Sequence, residues 1–302
     1  RKLEGLNKNT GVHPSGIAIS FYPLDEICPL QQTNDGDLVS GYDMNWVAEL
    51  MVKFDILGLR TLSVIYDVCK RLDFDLNKIN LDNKKLYKSL SNEFRHPQGL
   101  FQIEAYTNFS VCKKIKPRNL EELSAVVAIA RPGALEFADQ YSEYVKTGDF
   151  QSVHPAFDKI LDYTGGIPLY QEQLMKMAVR VGFTLDEAEQ LRRIVGKKKV
   201  DQMPAWKEKI FKKVEENKLT NAWSGHRGEE AADVLWRVAE DSANYSFNKS
   251  HSIAYATLAA WTTYLKFKYP KEFFLSLLKM TQFEPAPHEE IAKITTELPY
   301  FD

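Results

Sequence analysis

The sequence predicts an α+β protein, predominantly α-helical, with a small β-containing segment at its start. Three observations carry this reading. Alternating apolar residues occur near the N-terminus, at Ile17, Ile19 and Phe21, and a second strand-like run spans Leu50 to Leu57. From Gly58 onward the apolar residues recur at helical spacing instead. Helix start and stop residues are also dense in that later stretch. A length of 302 residues suggests about two domains, which places the boundary near residue 60: residues 1–60 hold the strands and 61–302 the helices.

Gly11-Val12-His13-Pro14-Ser15-Gly16 opens with turn formers, and the strand at 17–21 follows. A loop rich in Asp, Asn and Gly runs through Gly41. In the second strand Lys53 and Asp55 project together, and Val52, Phe54 and Ile56 are expected to pack behind them. Leu62, Val64, Ile65 and Val68 then mark a helix over 60–72. Further helices are expected at 121–130, 169–181, 203–216 and 229–244. Thr184 and Glu187 form a capping box, Ala188, Leu191 and Val195 the buried stripe behind it, and Gly196 the stop. Ser250 or Ser252 starts a last long helix that reaches about Lys268, where Pro270 ends it.

Composition excludes several classes. Lys+Arg number 39 against 41 Asp+Glu, for a net charge of −2, and a hydrophobic share of 44% rules out disorder as the main state. The most apolar stretch, Ile253 to Leu265, is too short to span a bilayer and carries three threonines. Cys28, Cys69 and Cys112 are odd in number and far apart, which speaks against a disulfide framework or structural zinc and for a reducing cytoplasm. The chain begins at Arg1 without Met and stops just after Leu298-Pro299-Tyr300-Phe301, so it reads as a piece of a longer polypeptide.

Candidate chemistry lies in three places. Lys53 and Asp55 share one strand face, an arrangement that suits phosphate plus a divalent metal, although spacing alone favours a plain surface ion pair. Between Arg192 and Lys218 lie ten basic residues and four acidic ones, a local +6 that suits polyanion binding; Arg192, Arg193, Lys197, Lys198 and Lys199 exceed what helix capping needs. Asn248, Lys249 and His251 precede or open a helix, where they either meet a phosphate or belong to a plain loop with an N-cap serine and a half-buried His, the reading that chemistry alone favours. Phe101-Gln102-Ile103-Glu104, Arg131-Pro132-Gly133 and Tyr170-Gln171-Glu172-Gln173 set polar side chains among apolar ones without specifying a reaction. No P-loop, dinucleotide fingerprint, nucleophile elbow or zinc motif occurs.

Taken in order, these segments, together with Lys53-Phe54-Asp55-Ile56-Leu57-Gly58-Leu59-Arg60-Thr61, Leu191-Arg192-Arg193, Gly196-Lys197-Lys198-Lys199 and Phe247-Asn248-Lys249-Ser250-His251-Ser252, resemble the catalytic alpha subunit of bacterial DNA polymerase III. The resemblance covers nearly the whole chain, through Tyr269-Pro270-Lys271-Glu272-Phe273. It implies the C-terminal part of a polymerase palm in 1–60 and fingers in 61–302. It also implies template-directed nucleotidyl transfer with Mg²⁺, in which Asp55 is a metal ligand and Lys53 faces the triphosphate. Arg192, Arg193, Lys197, Lys198 and Lys199 then meet phosphates, and Gln171, Gln173, Asn248, Lys249 and His251 face nucleotide or DNA. The implied partners are primer–template DNA, dNTPs, the rest of the polymerase, a sliding clamp and other replisome subunits.

Two departures matter. The family's palm carries an Asp-x-Asp pair that nothing before Gly11 supplies, so the isolated chain is expected not to polymerise and Mg²⁺ to be shared with carboxylates elsewhere. Asn244-Tyr245-Ser246 stands where Gly-Tyr-Gly is usual; it is either a harmless variant or, at Ser246, an intein junction. The alternatives are a non-catalytic nucleotide- or DNA-binding half of a two-chain or degenerate polymerase, and a helical scaffold that binds RNA or an acidic protein.

Overall fold

The computed structural model describes residues 11–91, 95–197, 199, 201–218 and 228–301. The chain divides into two units, residues 1–60 and 61–302.

The first unit contains β1 (Gly16–Ile19), α1 (Leu24–Ile27), β2 (Leu30–Gln32), β3 (Leu38–Ser40), α2 (Met44–Leu50) and β4 (Val52–Asp55). β1 pairs antiparallel with β4, and β2 with β3 as a hairpin closed around Thr33 and Asp37. The expected second strand is therefore shorter at its start. Asp43 accepts a hydrogen bond from the Asn45 amide at 2.9 Å and caps a helix over 44–50, so the backbone becomes extended only from Met51.

The packing of that sheet differs from the expectation. Cys28, Val47 and Met51 form the small core, and Ala18 and Leu30 pack against it. Ala18 lies opposite Lys53, so the face that carries Lys53 is the one turned toward this cluster. Strand alternation then sends Ile17, Ile19, Val52 and Phe54 the other way, where each stays about half exposed (49, 52, 49 and 52%). Ile56 is exposed as well.

The second unit is helical. Its elements are α3 (Arg60–Leu72, which begins at the boundary), α4 (Lys84–Ser91), α5 (Tyr106–Ile115), α6 (Leu120–Ile129), α7 (Ala138–Thr147), α8 (Asp158–Leu161), α9 (Gln171–Arg180), α10 (Leu185–Gly196), α11 (Met203–Glu216), α12 (Gly228–Tyr245), α13 (Lys249–Lys268), α14 (Pro270–Met280) and α15 (Pro287–Thr295). One core gathers α4 to α7 with α13, and a second gathers α8 to α12.

α6 and α13 form the buried centre of the first core. Ser124, Ala125 and Ala128 on α6 and Ser252, Ala256, Ala259 and Ala260 on α13 are all buried, and residues this small suit a close approach of the two helices. The buried hydroxyls are satisfied: Ser124 donates to Ser252 Oγ at 2.9 Å, and Ser252 donates to the Ser124 carbonyl at 2.7 Å. Ser252 is thus core, and the cap of α13 is Asn248, whose side chain accepts from the His251 amide at 2.8 Å. At the far end of α13 the buried Lys266 ammonium donates to the His96 and Gln98 carbonyls (2.6 and 2.7 Å) and to Glu297 (2.6 Å).

In the second core the Thr184–Glu187 capping box forms as expected, with Glu187 N–H donating to Thr184 Oγ1 at 3.2 Å and Thr184 N–H to Glu187 at 2.9 Å. Ala188, Leu191 and Val195 are buried behind it, and the helix ends at Gly196. Lys209 of α11 reaches Glu187 at 3.0 Å and ties the two helices together.

Candidate functional site

The first candidate group sits on β1 and β4. Gly16 lies opposite Asp55, and a Cβ at Gly16 would stand 3.0 Å from both His13 Nδ1 and Lys53 Cε. The missing side chain is what lets His13 and Lys53 close in around the carboxylate. Lys53 Nζ donates to Asp55 Oδ1, and His13 Nε2 lies 3.8 Å from the same oxygen. The Lys53 ammonium holds the Asp55 carboxyl below its usual range. Asp55 is therefore an ionised, half-exposed carboxylate beside a cation. Among the described residues no group of three His, Cys, Asp or Glu side chains could hold a metal ion. One carboxylate engaged by a lysine does not fit a magnesium site by itself.

The second group is assembled by a contact remote in sequence. Tyr170 and Phe247 form an isolated parallel bridge: Gln171 N–H donates to the Phe247 carbonyl at 2.9 Å, and Phe247 N–H to the Leu169 carbonyl at 3.1 Å. This seam sets the start of α9 beside the start of α13. Glu172 then accepts from the Lys249 backbone N–H with both oxygens (3.1 and 3.0 Å) and from Asn248 Nδ2 at 3.1 Å. A carboxylate at the first turn of α13 satisfies amides that a helix leaves unpaired.

The Lys249 ammonium turns away from this cap. It lies 2.9 Å from Glu121 at the start of α6 and 4.1 Å from the Tyr163 ring centre. His251 is exposed and stacks near Tyr255 (4.0 Å between ring centres), which in turn meets Phe101 at 5.0 Å. Arg131 lies over the Phe247 ring at 4.5 Å. Gly133 backs the seam, because a Cβ there would fall 2.3 Å from the Asn244 carbonyl oxygen.

Arg192 joins the same surface. Its Nη1 donates to Gln171 Oε1 at 3.2 Å, while Nε and Nη2 donate to Glu189 at 2.7 and 2.6 Å. Arg193 Nε also donates to Glu189, at 2.8 Å, which leaves most of the Arg193 side chain in solvent. Both guanidiniums are thus oriented by one carboxylate. The arginines pull Glu189 down to about 2, Arg192 contributing most.

The structure brings Gln171, Arg192, Arg193, Asn248, Lys249 and His251 into one connected region. Lys197 and Lys199 are exposed just beyond α10, and Lys198 lies outside the described residues. Gln173 is corrected. It is fully buried, and its amide accepts from the Tyr170 N–H at 2.9 Å and donates to Thr164 Oγ1 at 2.7 Å and the Ile160 carbonyl at 3.2 Å. It holds the start of α9 and has no surface to offer a ligand. The basic block is also less free than its charge suggests, since Lys209 and Lys213 lie within 3.0 and 3.8 Å of Glu187.

Sequence reasoning missed Glu121 and Glu189, the acids that orient the cations, and Glu172, which holds Asn248 and the Lys249 backbone. Glu121 and Glu172 lie in helix first turns, where acids are favoured, and Glu189 precedes Arg192 and Arg193 by three and four residues. The Asn244-Tyr245-Ser246 departure proves mild. α12 runs through Tyr245, and none of the three residues has a positive φ that would require glycine.

Comparison with known proteins places the chain in a family. Residues 61–218 match the model of the bacterial DNA polymerase III alpha subunit finger domain. Residues 1–58 match that of the bacterial DNA polymerase III alpha NTPase domain. The DNA polymerase III subunit alpha of Thermus aquaticus is 36% identical over 293 residues, which cover 92% of this chain and 23% of the relative. That of Aquifex aeolicus is 36% identical over 285 residues, 90% of this chain and 24% of the relative. That of Caulobacter vibrioides is 32% identical over 289 residues, 92% and 24%. The chain spans about a quarter of the length of these relatives. With a finger-domain match over more than half its length and relatives of one name along nearly all of it, the chain belongs to the bacterial DNA polymerase III alpha subunit family.

Proposed function

We propose that this chain is the part of a template-directed DNA polymerase that grips primer–template DNA and the incoming dNTP, with residues 1–60 in the palm and 61–302 in the fingers. The observation that carries the reading is the seam between Tyr170 and Phe247, which draws Gln171, Arg192, Asn248 and Lys249 from three distant segments onto one surface. Oriented guanidiniums suit phosphate oxygens, because their donors are already fixed in a planar fork. Arg192 and Arg193 take the phosphates of DNA or nucleotide, helped by Lys197, Lys198 and Lys199. Lys249 and His251 line the nucleotide-facing side with Asn248 and Gln171. In the palm, Lys53 keeps Asp55 ionised and is itself suited to triphosphate oxygens. Asp55 contributes one oxygen ligand to a magnesium site whose other ligands lie outside the described residues, and without them the isolated chain does not extend a primer.

The half-exposed apolar face of Ile17, Ile19, Val52 and Phe54 supports a further polymerase segment as partner in the palm. Among the described residues no helix is long and apolar enough to cross a membrane. The single, lysine-engaged carboxylate favours one other reading, a DNA- and nucleotide-binding module without catalysis.

Binding of a labelled primer–template tests the shared part of both readings. Arg192→Ala should weaken it on the order of tenfold and lower the salt slope by about 0.9, the value for one phosphate contact on duplex DNA. Unchanged affinity and slope would remove Arg192 from the interface. A preference for dNTPs that requires Mg²⁺ separates the polymerase readings from a helical scaffold.

A further inference from the structure

A second basic surface lies in the first core of the helical unit. An open pocket of about 720 Å³ is walled by α4, the turn between α5 and α6, and the end of α7. Its floor is apolar and buried: Tyr87, Ile115 and Val145, with the Tyr87 hydroxyl donating to the Leu81 carbonyl at 2.7 Å. Its rim is cationic, with Lys84, Lys88, Lys116, Arg118 and Lys146. Only Asp82 and Glu122 are acidic among the lining residues, and Glu122 is neutralised within the fold. Arg118 donates to it from its backbone N–H at 2.7 Å and from Nη2 at 2.7 Å. Asp82 is then the other acid among the lining residues, and Lys146 lies 3.5 Å from Glu143 in an exposed pair that leaves its ammonium at the surface.

We propose that this pocket binds a nucleotide unit of single-stranded DNA, the base against the apolar floor and the flanking phosphates among Lys84, Lys116 and Lys146. Concave shape, apolar floor and cationic rim are the combination that strands without sequence preference use. DNA is favoured over an acidic peptide because of what lies next door. Glu122 of the pocket and Glu121, the partner of Lys249, are consecutive on the first turn of α6, about 100° apart around the helix. The Arg192–Lys249 surface and the pocket therefore adjoin at this turn, which lets one strand reach both. The inference rests on the polymerase reading and extends it to an unpaired strand.

The test is fluorescence anisotropy of a labelled thymidine oligonucleotide with the 302-residue chain, beside a blunt primer–template duplex. All the altered residues are exposed, so thermal denaturation should show Lys84→Gln/Lys116→Gln folded as the parent is. Removing two single-strand phosphate contacts should lower the salt slope by about 1.4 and the affinity about 25-fold near 0.1 M salt. Duplex binding should be unchanged, and Lys84→Arg/Lys116→Arg should retain the oligonucleotide. Oligonucleotide binding that is unaffected by the glutamine pair overturns the inference. If Arg192→Ala still weakens the duplex in that case, the polymerase reading stands; if the parent binds neither ligand, both fail. Displacement of the oligonucleotide by an equimolar poly-glutamate peptide would also overturn it, by assigning the pocket to acidic protein.

Discussion

Gly133→Ala offers a direct test of the seam that assembles the site. The new Cβ would lie 2.3 Å from the Asn244 carbonyl oxygen and 3.0 Å from its carbon. Relief needs a displacement of about 1 Å toward ordinary contact distance. The obstacle is backbone in the last turn of α12, so no side chain can swing aside. What must move is the 244–248 junction, which holds Phe247 in its bridge and Asn248 in its cap. Overpacking of this kind costs about 1–3 kcal/mol and more where backbone resists, so about 2–4 kcal/mol is expected here. For a unit of this size that lowers Tm by roughly 5–15 °C. Gly196→Ala is the control: its Cβ meets nothing within 4 Å, and a helical alanine should be neutral or slightly stabilising. Thermal denaturation followed by circular dichroism reads both, and primer–template binding should fall only with Gly133→Ala. If Gly133→Ala melts within a degree or two of the parent, the close approach does not hold the seam.

Acid should weaken the helical unit in a defined window. The Thr184 amide and Lys209 draw Glu187 down to about 2, and Arg192 with Arg193 does the same for Glu189. The unfolded chain therefore binds more protons than the folded one between about pH 4.5 and 2, and stability present above 4.5 is lost as pH falls through that range. Glu187→Gln should flatten the corresponding fall in Tm; an unaltered slope would refute its part. Lys266→Met should destabilise by about 3–5 kcal/mol in urea denaturation, because Glu297 is left charged and buried. Lys266→Met/Glu297→Leu should recover part of that loss, and a double variant worse than the single one would contradict the pairing. Glu172→Ala should cost about 1–2 kcal/mol by uncapping α13. It should also weaken dNTP binding by releasing Asn248 and the Lys249 backbone, and nucleotide titration checks this.

Much of the fold was legible because its signals are local. The Thr184–Glu187 box, Gly196, Pro270 and the change from strand to helical spacing near Gly58 each act within a turn or two of chain, and each falls where the sequence places it. Signals that depend on distant partners were not legible. Val52 and Phe54 look like core, but the cluster beside Ala18 covers the opposite face. Ser252 looks like a cap, but α6 supplies a buried partner in Ser124, and the start moves to Asn248. Gln171 and Gln173 are two residues apart and read alike. On a helix they point differently, so one meets Arg192 and the other is enclosed by Thr164 and Ile160. Family resemblance named the basic and polar residues, whereas the acids that orient them emerged only with the contacts.

Primer extension with Mg²⁺ and dNTPs tests the central claim most directly, first with the chain alone, then with the corresponding upstream half supplied from a relative. The account predicts no extension by the chain alone, extension on complementation, and its loss with Asp55→Asn while primer–template binding persists. Extension by the purified chain alone would contradict the need for further carboxylates, and complemented extension that Asp55→Asn leaves intact would contradict the role given to Asp55. Binding without extension under either condition would instead mark the chain as a non-catalytic DNA-binding module.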